Sequence, residues 1–209
     1  MPIGPLVRRC LGPLERPVTG LYRACFINLD RFVRLVHDTA PDAEQILEVG
    51  CGEGAVLERL APLYPAARLT GIDITPRVGR MFRGDPERVT FRQQTVQEFA
   101  AEHPGQFDLA VVCDVIHHVP WDIHTEFVRA LARALRPGGW LILKDWERRR
   151  NAIHAVAHFA DAGITGDAVR YRTAAEFREL FDAALGPGHV VCEERVPPWP
   201  NNLAFLVRP

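Results

Sequence analysis

A chain of 209 residues, 47% hydrophobic and 24% charged, has the make-up of one globular domain with a sizeable core. A net charge of −1 argues against a dedicated nucleic-acid binder, which carries a basic excess, and no apolar run is long enough to span a membrane. Five scattered cysteines without a CxxC pair read as reduced thiols, and MPIGPLVRRCLG does not read as a signal peptide, so the expected compartment is the cytoplasm.

Residues 1–19 are rich in proline and predict an irregular arm. From Gly20 to about Thr39, Leu21, Cys25, Leu29, Phe32, Val33 and Val36 form an apolar stripe of helical period, ended by Pro41. Residues 1–39 therefore read as an N-terminal arm and helix covering a site in the core, 40–209. Elements then alternate. Strands are predicted at 45–50, 67–74, 89–94, 107–115 and 140–146, with RPGG (136–139) as a turn before the last. Helices are predicted at 54–64, 96–102 and 123–135. The run FDLAVVCDV is apolar enough to be buried on both faces. This rhythm means an α/β fold, a mainly parallel sheet with helices on both faces. Two more helices are predicted at 148–163 and 173–185, the second opening with Thr173 and Glu176 at capping-box spacing. VVCEERV (190–196) and NLAFLVR (202–208) close the chain as an antiparallel pair.

LEVGCGEG (47–54) leads from a strand into a helix. Gly50, Gly52 and Gly54 allow a tight turn and close approach of a ligand. The spacing is not the G-x-G-x-x-G of a dinucleotide loop, and Glu48 and Glu53 would repel a pyrophosphate. A cationic ligand without phosphate suits it better.

ILEVGCGEG resembles the first motif of the class I S-adenosylmethionine-dependent methyltransferases of small-molecule type. LTGIDIT (69–75), FDLAVVCDVIHHV (107–119) and LRPGGWLIL (135–143) are similar to later landmarks of that family, in the same order. The resemblance implies a Rossmann-like seven-stranded sheet in the order 3-2-1-4-5-7-6, the seventh strand antiparallel. It implies S-adenosyl-L-methionine as cofactor, held by Glu48, Gly50, Gly52, Gly54, Asp73, Ile74, Thr95, Val96 and Asp114, with Tyr22 reaching over from the arm. Asp73 would accept hydrogen bonds from the ribose hydroxyls. Where the family often has Gly-Asp-Ala against the adenine, this chain has Gln94-Thr95-Val96.

The acceptor must be read from the variable parts. Asn151, His154, His158 and Asp161 share one helix face, which is either solvated or lines a pocket. His154 and His158 also have metal-pair spacing, without a third ligand nearby. His154, His158 and Trp146, within the segment 146–172, are the expected acceptor contacts. Arg148 to Arg150 are either solvated or meet an acidic substrate group.

DVIHHVPWDIH (114–124) follows the fourth strand. His117 and His118 are candidate catalytic bases, with Asp145 a candidate to orient one of them. Counted back from Asp122, His118 matches the histidine of the His-Asp-Trp-Ser-Asp segment in plant-type O-methyltransferases. By the simpler His-His-x-Pro pattern, His117 does. His124 is expected on the surface of the next helix. Asp114-x-x-His117-His118 also resembles the Glu-x-x-Glu-His metal segment of ubiquinone-pathway O-methyltransferases. Two imidazoles suit hard cations poorly, so no metal is expected.

The resemblance points to methyl transfer to an O, N or C atom of a small organic acceptor, by analogy in bacterial secondary metabolism. Methylation of protein or RNA, and cofactor binding without transfer, stay open as alternatives. No nucleic acid or membrane partner is expected, and the N-terminal helix could mediate a homodimer.

Overall fold

Seven strands, aliphatic at the centre and more polar at the two edges, make one sheet in the computed structural model, which describes residues 15–165 and 169–209. Strands β1 (Gln45–Val49), β2 (Arg68–Asp73), β3 (Val89–Gln93), β4 (Phe107–Cys113) and β5 (Leu135–Trp146) run parallel. β6 (Val190–Arg195) and β7 (Asn202–Val207) form the closing hairpin, and β7 pairs antiparallel with β5. The order is β3-β2-β1-β4-β5-β7-β6. It reverses direction between β1 and β4, the place where open α/β sheets form a crevice for ligands.

Both faces are covered. Helices α1 (Glu15–Phe26), α2 (Leu29–Thr39) and α3 (Ala55–Leu60) lie early in the chain. α2 and α3 bury Phe32, Val33, Val36, Leu57 and Leu60 against one face. Helices α4 (Val96–Glu102), α5 (His124–Ala134) and α7 (Ala174–Leu185) bury Phe99, Phe127, Leu131, Phe177 and Phe181 against the other. α6 (Ala152–Thr165) lies apart from both, with Ala157 packed near Trp146, Val169 and Tyr171.

Local sequence explains most element ends. α4 and α7 each open on a capping box, Thr95 with Glu98 and Thr173 with Glu176. The helical stripe over 20–39 is two helices rather than one. Asn28 interrupts it, because its side chain accepts the Arg31 N–H at 3.0 Å and starts α2 afresh. The predicted turn at 136–139 is absorbed into β5, and the pairing of β4 with β5 shifts register between Phe107 and Leu109 to accommodate it. α3 is shorter than its apolar pattern suggested, ending at Leu60.

The α1–α2 junction is tied to the β6–β7 connection. Asn28 N–H donates to Pro197 O (2.8 Å), Trp199 Nε1–H to Cys25 O (2.7 Å) and Asn202 Nδ2–H to Phe26 O (2.6 Å). These bonds hold Phe26 edge-on to Trp146, at the end of β5.

His124 does not lie on the surface of α5. It is 1% exposed. A 3₁₀ turn, Trp121–Ile123, folds the start of α5 under Arg172. His124 Nε2–H donates to Val119 O at 2.9 Å, and Nδ1 accepts from Arg172 Nε and Nη2 at 3.0 and 2.9 Å. A ring that accepts at one nitrogen is neutral. Burial holds its pKa below the ordinary value, Val119 O opposes that, and Arg172 reinforces it.

Two predictions follow from this packing. Phe205 is fully buried between Phe177 and Phe181. Phe205→Ala is expected to lower unfolding free energy in urea by about 3–5 kcal/mol. Because folding keeps His124 neutral, the unfolded chain binds the extra proton below about pH 6.5. Stability therefore falls as pH is lowered through that value, and melting curves of His124→Gln are expected to show a smaller fall.

Candidate functional site

Three loops meet at the C-terminal ends of β1, β2 and β4. The first is the glycine turn after β1. Gly50, Gly52 and Gly54 have φ of +74°, +50° and +88°, a region costly for residues with a Cβ. A Cβ on Gly50 would lie 2.3 Å from Val115 Cγ2, so glycine there lets the β1 and β4 loops touch. A Cβ on Gly52 would meet only Asp73 Oδ2, at 3.9 Å, so this α-carbon faces open space beside that carboxylate.

Asp73 ends β2 and clamps the turn. Its Oδ2 accepts the Gly52 N–H at 2.7 Å and its Oδ1 the Thr75 N–H at 2.8 Å. Each oxygen keeps a second lone pair. Glu48 is buried beneath the turn and accepts the Leu57 N–H at 3.2 Å. Glu53 forms an ion pair with Arg80. Ile74, next to Asp73, is 70% exposed, a large apolar side chain left open at the strand end. Thr95 spends its hydroxyl on the capping box with Glu98, and the Val96 side chain is in the core, so a ligand there would meet the Val96 backbone. The helix carrying Tyr22 is described, but the Tyr22 side chain lies outside the described residues.

The loop after β4 turns at once. Asp114 has φ +56°, and apart from glycine only Arg77 shares that sign among the described residues. Lys144 Nζ reaches both Asp114 oxygens, at 2.6 and 2.7 Å, and is itself 1% exposed. This ion pair braces a backbone conformation that costs roughly 1–3 kcal/mol. Sequence reading gave Lys144 no role, although a lysine inside the apolar run WLILKDW needs a buried partner.

Asp145, one residue on, is fully buried. Its Oδ2 accepts N–H groups of Ile116 (3.0 Å) and His117 (3.4 Å), and its Oδ1 accepts Trp146 N–H (2.6 Å). Oδ1 also lies 2.6 Å from His117 Nδ1. Burial pushes the Asp145 pKa up, but the His117 ring, Lys144 and the Trp146 N–H outweigh it and hold the group below the usual carboxylate range. An ionised carboxylate only accepts, so Nδ1 carries a proton. The basic lone pair of neutral His117 is then on Nε2. His118 is differently placed. It is exposed, its N–H bonds to Val115 O, and its ring lies 4.1 Å from that of His117.

The acceptor candidates gather around Tyr171, which sequence reading missed. Tyr171 stacks on His117 at 5.0 Å and 27°, and the rings of His154 and His158 lie 5.2 and 6.0 Å from it. Trp146 Nε1–H donates to His154 Nδ1 at 3.1 Å. Burial, then His158 and Arg148, keep the His154 pKa below its ordinary value, so the ring is a neutral Nε2–H donor. His158 is exposed, as are Val156 and Phe159 on α6. Asp161 lies where side chains are outside the described residues.

Among the described residues, Asp114, His117 and Asp145 bring one potential ligand atom each within 4.8 Å of one another. Their oxygens are engaged by the Lys144 ammonium, backbone N–H groups and an imidazole N–H. That arrangement already supplies the positive charge a cation would bring.

The comparisons agree with this architecture. A family model described as a methyltransferase domain matches residues 21–184. A ubiquinone biosynthesis O-methyltransferase of Xanthomonas euvesicatoria pv. vesicatoria (strain 85-10) is 37% identical over 108 residues, which are 50% of this chain and 44% of that protein. The chain spans about half the length of the curated relatives it matches. Among solved structures, a 1,6-didemethyltoxoflavin-N1-methyltransferase of Burkholderia thailandensis, with 1,6-didemethyltoxoflavin and S-adenosylhomocysteine bound, superposes with a TM-score of 0.67. It is 20% identical, over 97% of this chain and 86% of that one. A mitomycin 7-O-methyltransferase gives 0.66 at 19% identity, over 81% of this chain and 50% of that one. With a family model matching most of its length and the sheet order expected of that family, this chain belongs to the methyltransferase-domain family.

Proposed function

We propose that this protein transfers a methyl group from S-adenosyl-L-methionine to a small organic acceptor, with His117 as the base and Asp145 as its positioning residue. The observation that carries the reading is the Asp145–His117 pair, held at the sheet edge beside a glycine turn. S-adenosyl-L-methionine supplies an electrophilic methyl group on a sulfonium. The residues present fit it. The open α-carbon at Gly52 leaves room for a close-lying ligand, the spare lone pairs of Asp73 suit a diol, and the buried carboxylate of Glu48 suits an ammonium. Ile74 would lie along an apolar ring face, and the Val96 backbone and Asp114 would complete that side.

His117 Nε2 would take the acceptor proton, and Asp145 would stabilise the imidazolium that results. An oxygen acceptor is favoured, because a hydroxyl needs deprotonation and the curated relatives are named for O-methyl transfer. The acceptor segment is 146–172, with Trp146, His154 and His158 as contacts and Tyr171 added to them. The N-terminal arm, including Tyr22, would cover the pocket. The same reading places the protein in the cytoplasm, with bacterial secondary metabolism as its setting and a homodimer through the N-terminal helix as its assembly.

Calorimetry is expected to show S-adenosylhomocysteine binding, weakened at least tenfold, about 1.4 kcal/mol, by Asp73→Ala. Absence of binding to the unaltered protein would sink the reading. In labelled methyl transfer to a panel of phenols and catechols, His117→Ala is expected to lower turnover by about 10²–10⁴ with cofactor affinity kept. His118→Ala is expected to cost much less. Equal losses, or a loss in His118→Ala alone, would move the base to His118.

A further inference from the structure

Two guanidinium groups share one indole, that of Trp121, in the turn that follows His118. The Arg172 guanidinium carbon lies 3.5 Å from the Trp121 ring centroid and that of Arg170 lies 4.8 Å from it. The two arginines differ in everything else. Arg172 is buried and committed, donating to His124 Nδ1 and to Glu176 O. Arg170 is exposed, and among the described residues no carboxylate pairs with it. Its backbone N–H donates to His117 O at 3.1 Å, which ties its main chain to that of the proposed base.

Like charges placed this close oppose each other. Burial lowers the Arg172 pKa, Glu176 counters this, and Arg170 lowers it further. Glu176 is shared between Arg148 (2.7 Å) and the cap at Thr173, and Glu179 also favours the charged Arg172. Arg148 and Arg149 are occupied as well. Arg148 also reaches Tyr171 O, and Arg149 reaches Pro200 O and Glu147. Arg150 stays exposed, so position 170 joins it as a candidate for the acidic-group contact considered at 148–150. Around this corner stand flat rings, Trp121, Tyr171, His117 and His118.

We infer that the acceptor is a planar ring compound bearing a carboxylate, and that Arg170 binds this carboxylate at the rim while the reacting hydroxyl lies at His117. The inference rests on the methyl-transfer reading above and adds the substrate class. A guanidinium grips a carboxylate through two parallel hydrogen bonds, so the anion both neutralises the corner and fixes the ring's orientation. The Trp121 ring, 4.8 Å from the Arg170 guanidinium, helps to hold it.

The test titrates the protein by calorimetry with 3,4-dihydroxybenzoate and, separately, its uncharged amide. Each titration is run with and without S-adenosylhomocysteine. The acid is expected to bind at least about tenfold more tightly than the amide, a 1.4 kcal/mol difference. Arg170→Met is expected to bring the acid down to the level of the amide, and Arg170→Lys to retain part of the preference, as a point charge without the fork would. Equal binding of acid and amide, binding of neither, or a preference that survives in Arg170→Met would overturn the inference. The cofactor titration separates the two levels. Failure to bind S-adenosylhomocysteine defeats the methyl-transfer reading, whereas cofactor binding without anion preference defeats only the Arg170 assignment.

Discussion

The carboxylate of Asp145 organises this site. It is fully buried and gathers three backbone N–H groups and one imidazole nitrogen from two stretches of chain. Isolated burial of a carboxylate costs several kcal/mol, so the charge survives only because those donors converge on it. The same bonds fix the 3₁₀ turn after β4. Removing the carboxylate would therefore leave both an unplaced loop and an unoriented imidazole. Asp145 links fold and proposed chemistry in one group.

Around it the polar groups are divided by side. Glu48, Asp73 and Asp114 stand toward the glycine turn, with Lys144 answering one of them. Arg170, Arg172, His117, His118 and His154 stand toward α6 and the segment following it. The Gly50–Val115 contact brings the two sides together, since any side chain at Gly50 would push the β1 and β4 loops apart.

The parallel strands were legible in the sequence because their pattern is simple. All but β3 are apolar runs bounded by turn residues, and the capping box at Thr173 is a local signal four residues long, while the one at Thr95 emerges from the structure. The glycine turn stood out through its spacing and Asp73 through the family resemblance, and structure adds the direct bond between them. Less legible was whatever depended on distant contacts. His117 and His118 are neighbours, and what distinguishes them, a carboxylate 28 positions away and a stacked ring at Tyr171, is distant in sequence. His124 read as a surface residue because the charge that covers it, Arg172, lies 48 positions further on. Tyr171 and Arg170 sit in a stretch without periodicity, so no local pattern marks them. Lys144 did carry a signal, a charge inside a buried strand, and that signal asked for the partner Asp114 supplies.

The central claim is that Asp145 makes His117, and not His118, the basic residue, with the lone pair on Nε2. Nitrogen NMR of protein labelled at histidine, with S-adenosylhomocysteine bound and at mildly alkaline pH, reads this directly. The account predicts that His117 shows a protonated Nδ1 and a bare Nε2. A His117 ring protonated at Nε2 and bare at Nδ1 would contradict it.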